Sequence, residues 1–413
     1  MRQFLIVSLF IVLLADLMLG FGLGFAPGLS LKNLFLYILF IALVVDVTIG
    51  GRDLLPEAWR VLGVWMALIG YAMFTWAAIS LLGLLRGYSM VGGFISLKSQ
   101  LVDFFLFFLL FMYAPRSLSQ TIVLAKWLVI IFVFVNLITL LDVFNVPDIG
   151  IMADRRDSRV SGPIGSVNQY GAVLAFIVPL TTGLAIGSEK WPRVFYLFGA
   201  TIGLILLGLT ISRGAFVGVL AGIIITLYAV RGHYTRSDLM KGLGYTFLAL
   251  LVVTAAVAIH DLDAFLTRFD MSEATTVRDM SSGRTEIWLK ALTMMSYEPV
   301  SFITGYGWDS YRTLFLGYGD PHNEYLQSLF NLGLIGLSLI VFVFYWVFRQ
   351  LINGVRSGND EVKPLLIGFI VGWVSVLAAV FFVGLYLPWL FIWACAGTFC
   401  RLSIEVSRES NRE

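Results

Sequence analysis

Residues 195–231 read FYLFGATIGLILLGLTISRGAFVGVLAGIIITLYAVR. Before the closing Arg231, the only charge in this stretch is Arg213. A bilayer core takes about 20 apolar residues per helix, so the stretch divides into two spans, 195–212 and 214–231, that meet at Ser212-Arg213-Gly214. A junction that short requires a hairpin with Arg213 at its tip. An arginine at the membrane surface is costly unless it snorkels or is paired. Its planar fork of donors suits a phosphate or a carboxylate; a hairpin cap reaching for lipid headgroups explains it as well.

The rest of the chain has the same character. Hydrophobic residues make up 59% and charged residues 13%, about half the charge of a soluble domain, which excludes a soluble globule. A net charge of +2 offers no argument for nucleic-acid binding. About twelve segments are long enough to span a bilayer: 4–24, 32–50, 59–84, 100–115, 120–144, 168–187, 195–212, 214–231, 243–260, 322–349, 364–384 and 386–402. The apolar run after Met1-Arg2-Gln3 passes the length of a signal-peptide core and ends at no small-residue cleavage site, so it reads as an uncleaved span. The expected fold is therefore all-α, a polytopic membrane protein with 1–413 as one integral membrane domain.

Lysine and arginine orient it. With the N-terminus inside, Arg52, Arg60, Arg116, Lys190, Arg193 and the tail residues Arg401, Arg408 and Arg412 fall on the cytoplasmic side. The short outer turns hold only Lys32, Arg86, Lys98 and Arg213, as the positive-inside rule requires. Cys395 and Cys400 lie in the last span at a spacing that does not bring them face to face, and read as buried free thiols.

This orientation puts the polar stretch 261–321 outside as a large periplasmic loop. A loop so long is functional or disordered. Gly283-Arg284-Thr285-Glu286-Ile287-Trp288 opens a segment with Ile287, Trp288, Ala291, Leu292 and Met295 at helical spacing, expected to lie on the membrane surface. Arg284 at its start opposes the helix dipole, which points to an anionic partner, although a solvated charge carries equal weight. Gly305-Tyr306-Gly307 and Gly317-Tyr318-Gly319 read as turns, with tyrosine as an interface anchor.

Pro321-His322 suits a helix start, placing His322 in the first turn of the tenth span. The dipole there disfavours imidazolium, so a neutral imidazole of ordinary pKa about 6.5 can accept a proton; an interfacial histidine that satisfies helix-end groups is the plain alternative. Asn323, Gln327 and Asn331 follow at i, i+4 and i+8 as one polar stripe. Arg159 and Asn168, in the loop before the sixth span, are further substrate-binding candidates, though such a charge run is more often a solvated loop. Asp261-Leu262-Asp263 is a weak metal signal. Asp16, Asp46, Asp103 and Asp142 sit in or at the ends of spans and keep a transporter or flippase of lipid-linked sugars as an alternative.

Taken in order, Ser212-Arg213-Gly214, Gly283-Arg284-Thr285-x-x-Trp288, Gly305-x-Gly307, His322-Asn323-x-x-Leu326-Gln327 and Gly333-Leu334-Ile335-Gly336 resemble the bacterial O-antigen ligase and polymerase superfamily, with a core at 195–340. The resemblance implies a GT-C-like helical fold and a metal-independent, inverting glycosyltransferase without cofactor in the inner membrane, its active site facing the periplasm. Its donor is a glycan on undecaprenyl pyrophosphate; its acceptor is lipid A–core for a ligase, or a lipid-linked glycan for a polymerase. The family's essential basic residues fall on Arg213 and Arg284, which would bind the diphosphate, and on His322 as catalytic base. Some polymerases carry an Arg-x10-Gly pattern; here Ile224 and Met295 stand at the glycine positions, which favours a ligase, with an O-antigen or exopolysaccharide polymerase as the alternative.

Overall fold

The computed structural model describes residues 8–9, 11, 24–26, 29–49, 55–144, 146, 155–156, 159–230, 266, 283–315, 321–385 and 388–412. In chain order the helices are α1 (Leu31–Thr48), α2 (Trp59–Leu82), α3 (Met90–Tyr113), α4 (Leu118–Val143), α5 (Val167–Ile186), α6 (Lys190–Thr210) and α7 (Arg213–Val230). Three short helices follow, α8 (Arg284–Tyr297), α9 (Pro299–Thr304) and α10 (Ser310–Leu314), then α11 (Glu324–Ser357), α12 (Val362–Ala379) and α13 (Pro388–Ser410). Two small antiparallel hairpins, Gly24–Ala26 with Leu29–Ser30 and Arg155–Arg156 with Arg159–Val160, are the strands among the described residues.

Among those residues nine helices are long and apolar enough to cross a membrane, and α7 is a shorter apolar helix. The chain is an all-α polytopic membrane protein. The expected spans 4–24 and 243–260 fall almost wholly outside the described residues, as do most of 261–282, including Asp261 and Asp263, and Gly317-Tyr318-Gly319.

Polar residues moved two boundaries. The span expected at 100–115 is observed over Met90–Tyr113. Ser89 caps its start by accepting from Gly92 N at 3.0 Å, and the polar run passes through a π-helical turn, Lys98–Val102. Lys98 therefore belongs to the helix rather than to an outer turn. It lies 3.0 Å from Asp103, which also accepts from Tyr37 Oη at 3.1 Å. Such pairing is how charges are tolerated in a span. The last helix likewise runs past 402, because Arg401 pairs with Glu405 at 2.6 Å and Thr121 Oγ1 donates to the same carboxylate at 2.8 Å.

Helix α12 packs on α5 and α7, and α13 on α3 and α11. Small residues at the crossings let backbones approach, as in other membrane bundles: a Cβ on Gly368 would stand 3.0 Å from Gly183 Cα.

The feature that positions the site is a break in α11. Gly333 sits at φ 63°, ψ −168°, outside helical space, and frees carbonyls one turn earlier. The loop Gly305-Tyr306-Gly307 takes them, Tyr306 N donating to Phe330 O at 2.9 Å and Gly307 N to Asn331 O at 2.8 Å. Gly305 and Gly333 lie so close that a Cβ on either would strike the other's backbone. The positive φ expected for this loop is present at both glycines, 80° and 102°. The Tyr306 ring stacks on Phe330, centroids 4.6 Å apart, and its hydroxyl donates to Met294 O at 3.1 Å.

Candidate functional site

The α6–α7 hairpin is as tight as the sequence demanded. Helix α6 ends at Thr210, Ile211 turns the chain at φ 47°, and α7 begins at Arg213. A β-branched residue in the left-handed region is strained by about 1–3 kcal/mol, so something must hold it. Arg159 does: its Nε donates to Thr210 O at 2.9 Å, and its Nη2 to Ile211 O at 3.4 Å and Asn168 Oδ1 at 3.3 Å. A guanidinium at the C-terminal carbonyls of α6 sits at the favourable end of that helix. Ser212 Oγ donates to the same Asn168 oxygen at 3.3 Å. Arg159 and Asn168 thus meet beside Arg213, and the contacts they make fix its hairpin.

Arg284 is the first residue of α8, after Gly283 at φ 81° and without a side-chain cap. Ala291 and Met295 are buried and Ile287 and Trp288 partly so, against Tyr311, Phe315, Leu326 and Phe330. Leu292 is 43% exposed and leaves the expected stripe. The packed face of α8 therefore lies on protein rather than on lipid. Trp288 ties it to the third element: its Nε1 donates to Pro321 O at 2.7 Å.

His322 departs from expectation. It has φ 50° and stands before the N-cap of α11, not in its first turn. The loop, rather than the first helical turn, positions His322. The N-cap is Asn323, buried, whose Oδ1 accepts from Leu326 N at 3.0 Å. That oxygen caps the helix, because the first-turn amides have no intrahelical acceptor. Asn331 is likewise structural: its Oδ1 accepts from Tyr311 N at 2.9 Å and Ser310 Oγ at 3.3 Å. Of the polar stripe, Gln327 alone lines a cavity with an amide oxygen that finds no hydrogen-bond partner.

The three elements gather at the turn after α12. Glu324 N donates to Val380 O at 3.0 Å, and the Glu324 carboxylate accepts from Leu385 N and Trp389 Nε1. The Trp288 ring meets Phe381 edge-on, centroids 5.6 Å apart. A Cβ on Gly214, the neighbour of Arg213, would come within 2.9 Å of Phe382. Phe381, Phe382 and Glu324 were not singled out in the sequence, where two phenylalanines in a hydrophobic run carry no signal. Nor was Asp309, half-buried in the loop, whose carboxyl burial pushes up to about 6 even though Arg312 pulls it down. Asp46 and Asp103, candidates for an ion path, have Arg116 and Lys98 as partners. Among the described residues no group of three His, Cys, Asp or Glu could hold a metal, and Cys395 and Cys400 are buried free thiols.

A bundle of apolar helices with two arginine-led helices and a histidine loop set around one turn defines a polytopic membrane protein with a polar site at one end of its helices. The comparison with families is specific: residues 198–341 match the model described as O-antigen ligase (Wzy_C). The chain thus carries an O-antigen ligase family domain, and the matched stretch contains Arg213, Arg284, His322, Asn323 and Gln327; Arg159 and Asn168 precede it. A Haemophilus influenzae protein described as uncharacterized is 21% identical over 232 residues, which cover 51% of this chain and 56% of that protein. The chain spans about half the length of this curated relative.

Proposed function

We propose that the chain moves a glycan from undecaprenyl pyrophosphate to an acceptor hydroxyl at the periplasmic face of the inner membrane, as an O-antigen ligase acting on lipid A–core. The family domain implies a glycosyltransferase with lipid-linked glycan substrates. The observation that carries the finer reading is the meeting of the Arg213, Arg284 and His322 elements around Val380–Phe382.

In this scheme the acceptor oxygen attacks C1 of the donor sugar, and the C1–O bond breaks with its electron pair leaving on the diphosphate. Arg213 and Arg284 hold that diphosphate and offset the charge it gains; preorganised charge of this kind is the largest single contribution in many enzymes. His322 takes the acceptor's proton. One displacement inverts the anomeric centre. The donor brings its own leaving group, so the scheme calls on no nucleotide, and the guanidiniums fill the role a divalent ion has in other transferases. Arg159 and Asn168 act by holding the Arg213 hairpin.

The test is reconstitution of the full chain with an undecaprenyl-pyrophosphate oligosaccharide and lipid A–core. Glycan on lipid A–core is the expected product. A ladder on the prenyl carrier would convert the reading to a polymerase, and no transfer to any acceptor would overturn it.

A further inference from the structure

A cavity of about 100 Å³ lies between α2, α3, α11 and α13. It is several times larger than the roughly 10–15 Å³ one water needs, and of the order that holds a single six-membered ring. Its walls include four indoles, Trp65, Trp308, Trp389 and Trp393, and its polar residues include Gln100, from the π-helical turn of α3, and Gln327.

Three buried polar atoms on these walls have no hydrogen-bond partner: Trp65 Nε1, Trp308 Nε1 and Gln327 Oε1. Trp65 is 2% exposed and Trp308 8%. A buried donor or acceptor left unmade costs about 1–3 kcal/mol, so three on the walls of one cavity mark it as a place for a polar occupant. Two are donors and one is an acceptor, which is the complement of hydroxyl groups, since a hydroxyl both gives and accepts. No lysine, arginine or histidine is among the residues that line the cavity, and the Glu324 carboxylate is. The ligand is therefore not a phosphate. Apolar aromatic walls with a few placed polar groups are the usual make-up of a small-molecule site.

We propose that this cavity binds one neutral sugar ring, its apolar face against the indoles and its hydroxyls on Trp65, Trp308 and Gln327. The inference rests on the transferase reading for its choice of a glycan, but the site itself rests on the cavity and its unpartnered groups. Trp308 is held in place by the neighbouring α2–α3 segment, Tyr88 Oη donating to its carbonyl at 2.8 Å, and Glu324 follows closely on His322. The site would seat a sugar of the glycan beside the reacting end, apart from the diphosphate.

The test is photolabelling of the full chain in phospholipid nanodiscs with a diazirine-bearing alkyl β-glucoside, mapped by peptide mass spectrometry. A diazirine-bearing alcohol of the same chain length is the control. The glucoside is expected to label the peptides containing Trp65 and Trp308, and excess unlabelled alkyl glucoside to compete. Gln327→Leu, which keeps the bulk and removes the acceptor, and Trp308→Phe, which removes the indole donor and part of the ring, should each cut labelling about 3–10-fold with circular dichroism unchanged. Equal labelling by the alcohol, or labelling unaltered in both variants, would overturn the proposal in favour of a lipid slot or a water-filled void. The probe has no phosphate and undergoes no transfer, so the outcome is independent of catalysis. Labelling retained in Arg213→Lys while transfer falls would support two separate sites.

Discussion

Helices α7 and α8 begin with arginine, whereas α11 begins with Asn323 and Glu324. The difference sets a helix start with a side-chain cap against two that carry the arginines of the proposed site. At α11 the sequence does what a helix start favours: a side-chain cap on Leu326 N and an acidic first turn. A cation at the first residue of α7 and α8 faces the positive end of the dipole, an unfavourable placement of about 0.3–1 kcal/mol. α8 has no side-chain cap, although Glu286 gives it an acidic first turn, and Ser212, just before α7, gives its hydroxyl to Asn168. Both arginine-led starts lie around the turn that the His322 loop also reaches, and in the proposed scheme both guanidiniums serve the diphosphate.

The largest effect is expected at the loop between the two kinds of start: His322→Ala should lower glycan transfer about 10²–10⁴-fold, the range for a general acid–base group, with the protein still inserted. Transfer within a few-fold of wild type would remove the base from the scheme. Next, Arg284→Ala should cost about 10²–10³-fold in kcat, as for a lost charge-stabilising donor, while its melting temperature stays level or rises because the dipole conflict is relieved. Arg213→Lys sharpens the point, since an ammonium keeps the charge but loses the bidentate fork. Near-normal activity there would assign Arg213 to headgroup contact.

How far the residues foretold this arrangement depends on the range of the interaction. The hairpin at Arg213 was legible because two apolar runs leave no room for another connection. The start of α3 was not, since Lys98 looks like a turn residue until Asp103 and Tyr37 are found beside it. His322 was placed in a helix by the proline before it, but the cap is Asn323, a local hydrogen bond that sequence alone left open. Asn331 looked like part of a substrate stripe, whereas the Gly333 break turns that region toward the 305–311 loop. The unpartnered indoles of Trp65 and Trp308 lie on helix and loop far apart in sequence, and only the fold brings them to one cavity.

Asp309 tests a fourth helix start. It precedes α10 at φ 60° and makes no side-chain cap. Its folded pKa is raised from 3.8 to about 6 by burial, so its protonated form is the one the fold favours. Stability from this group is fully present below pH 3.8 and is lost as pH rises through about 6, at most about 3 kcal/mol at 1.36 kcal/mol per unit. Asp309→Asn, which fixes the neutral form, should flatten the fall in melting temperature across that window. An unchanged pH profile would mean that the carboxylate is solvated and sets nothing.

The smallest effect is expected at α11 itself. Asn323→Ala removes the acceptor for Leu326 N and should cost about 1 kcal/mol of stability, the usual worth of an N-cap. Asn323→Ser or Asn323→Asp should restore most of it, because either side chain can accept the same bond. Transfer should follow stability in all three, with no separate rise in KM for donor or acceptor. A KM increase in Asn323→Ala that Asn323→Ser fails to rescue would mean that the amide also touches substrate. The contrast between a helix start built for stability and two built for binding would then no longer hold at α11.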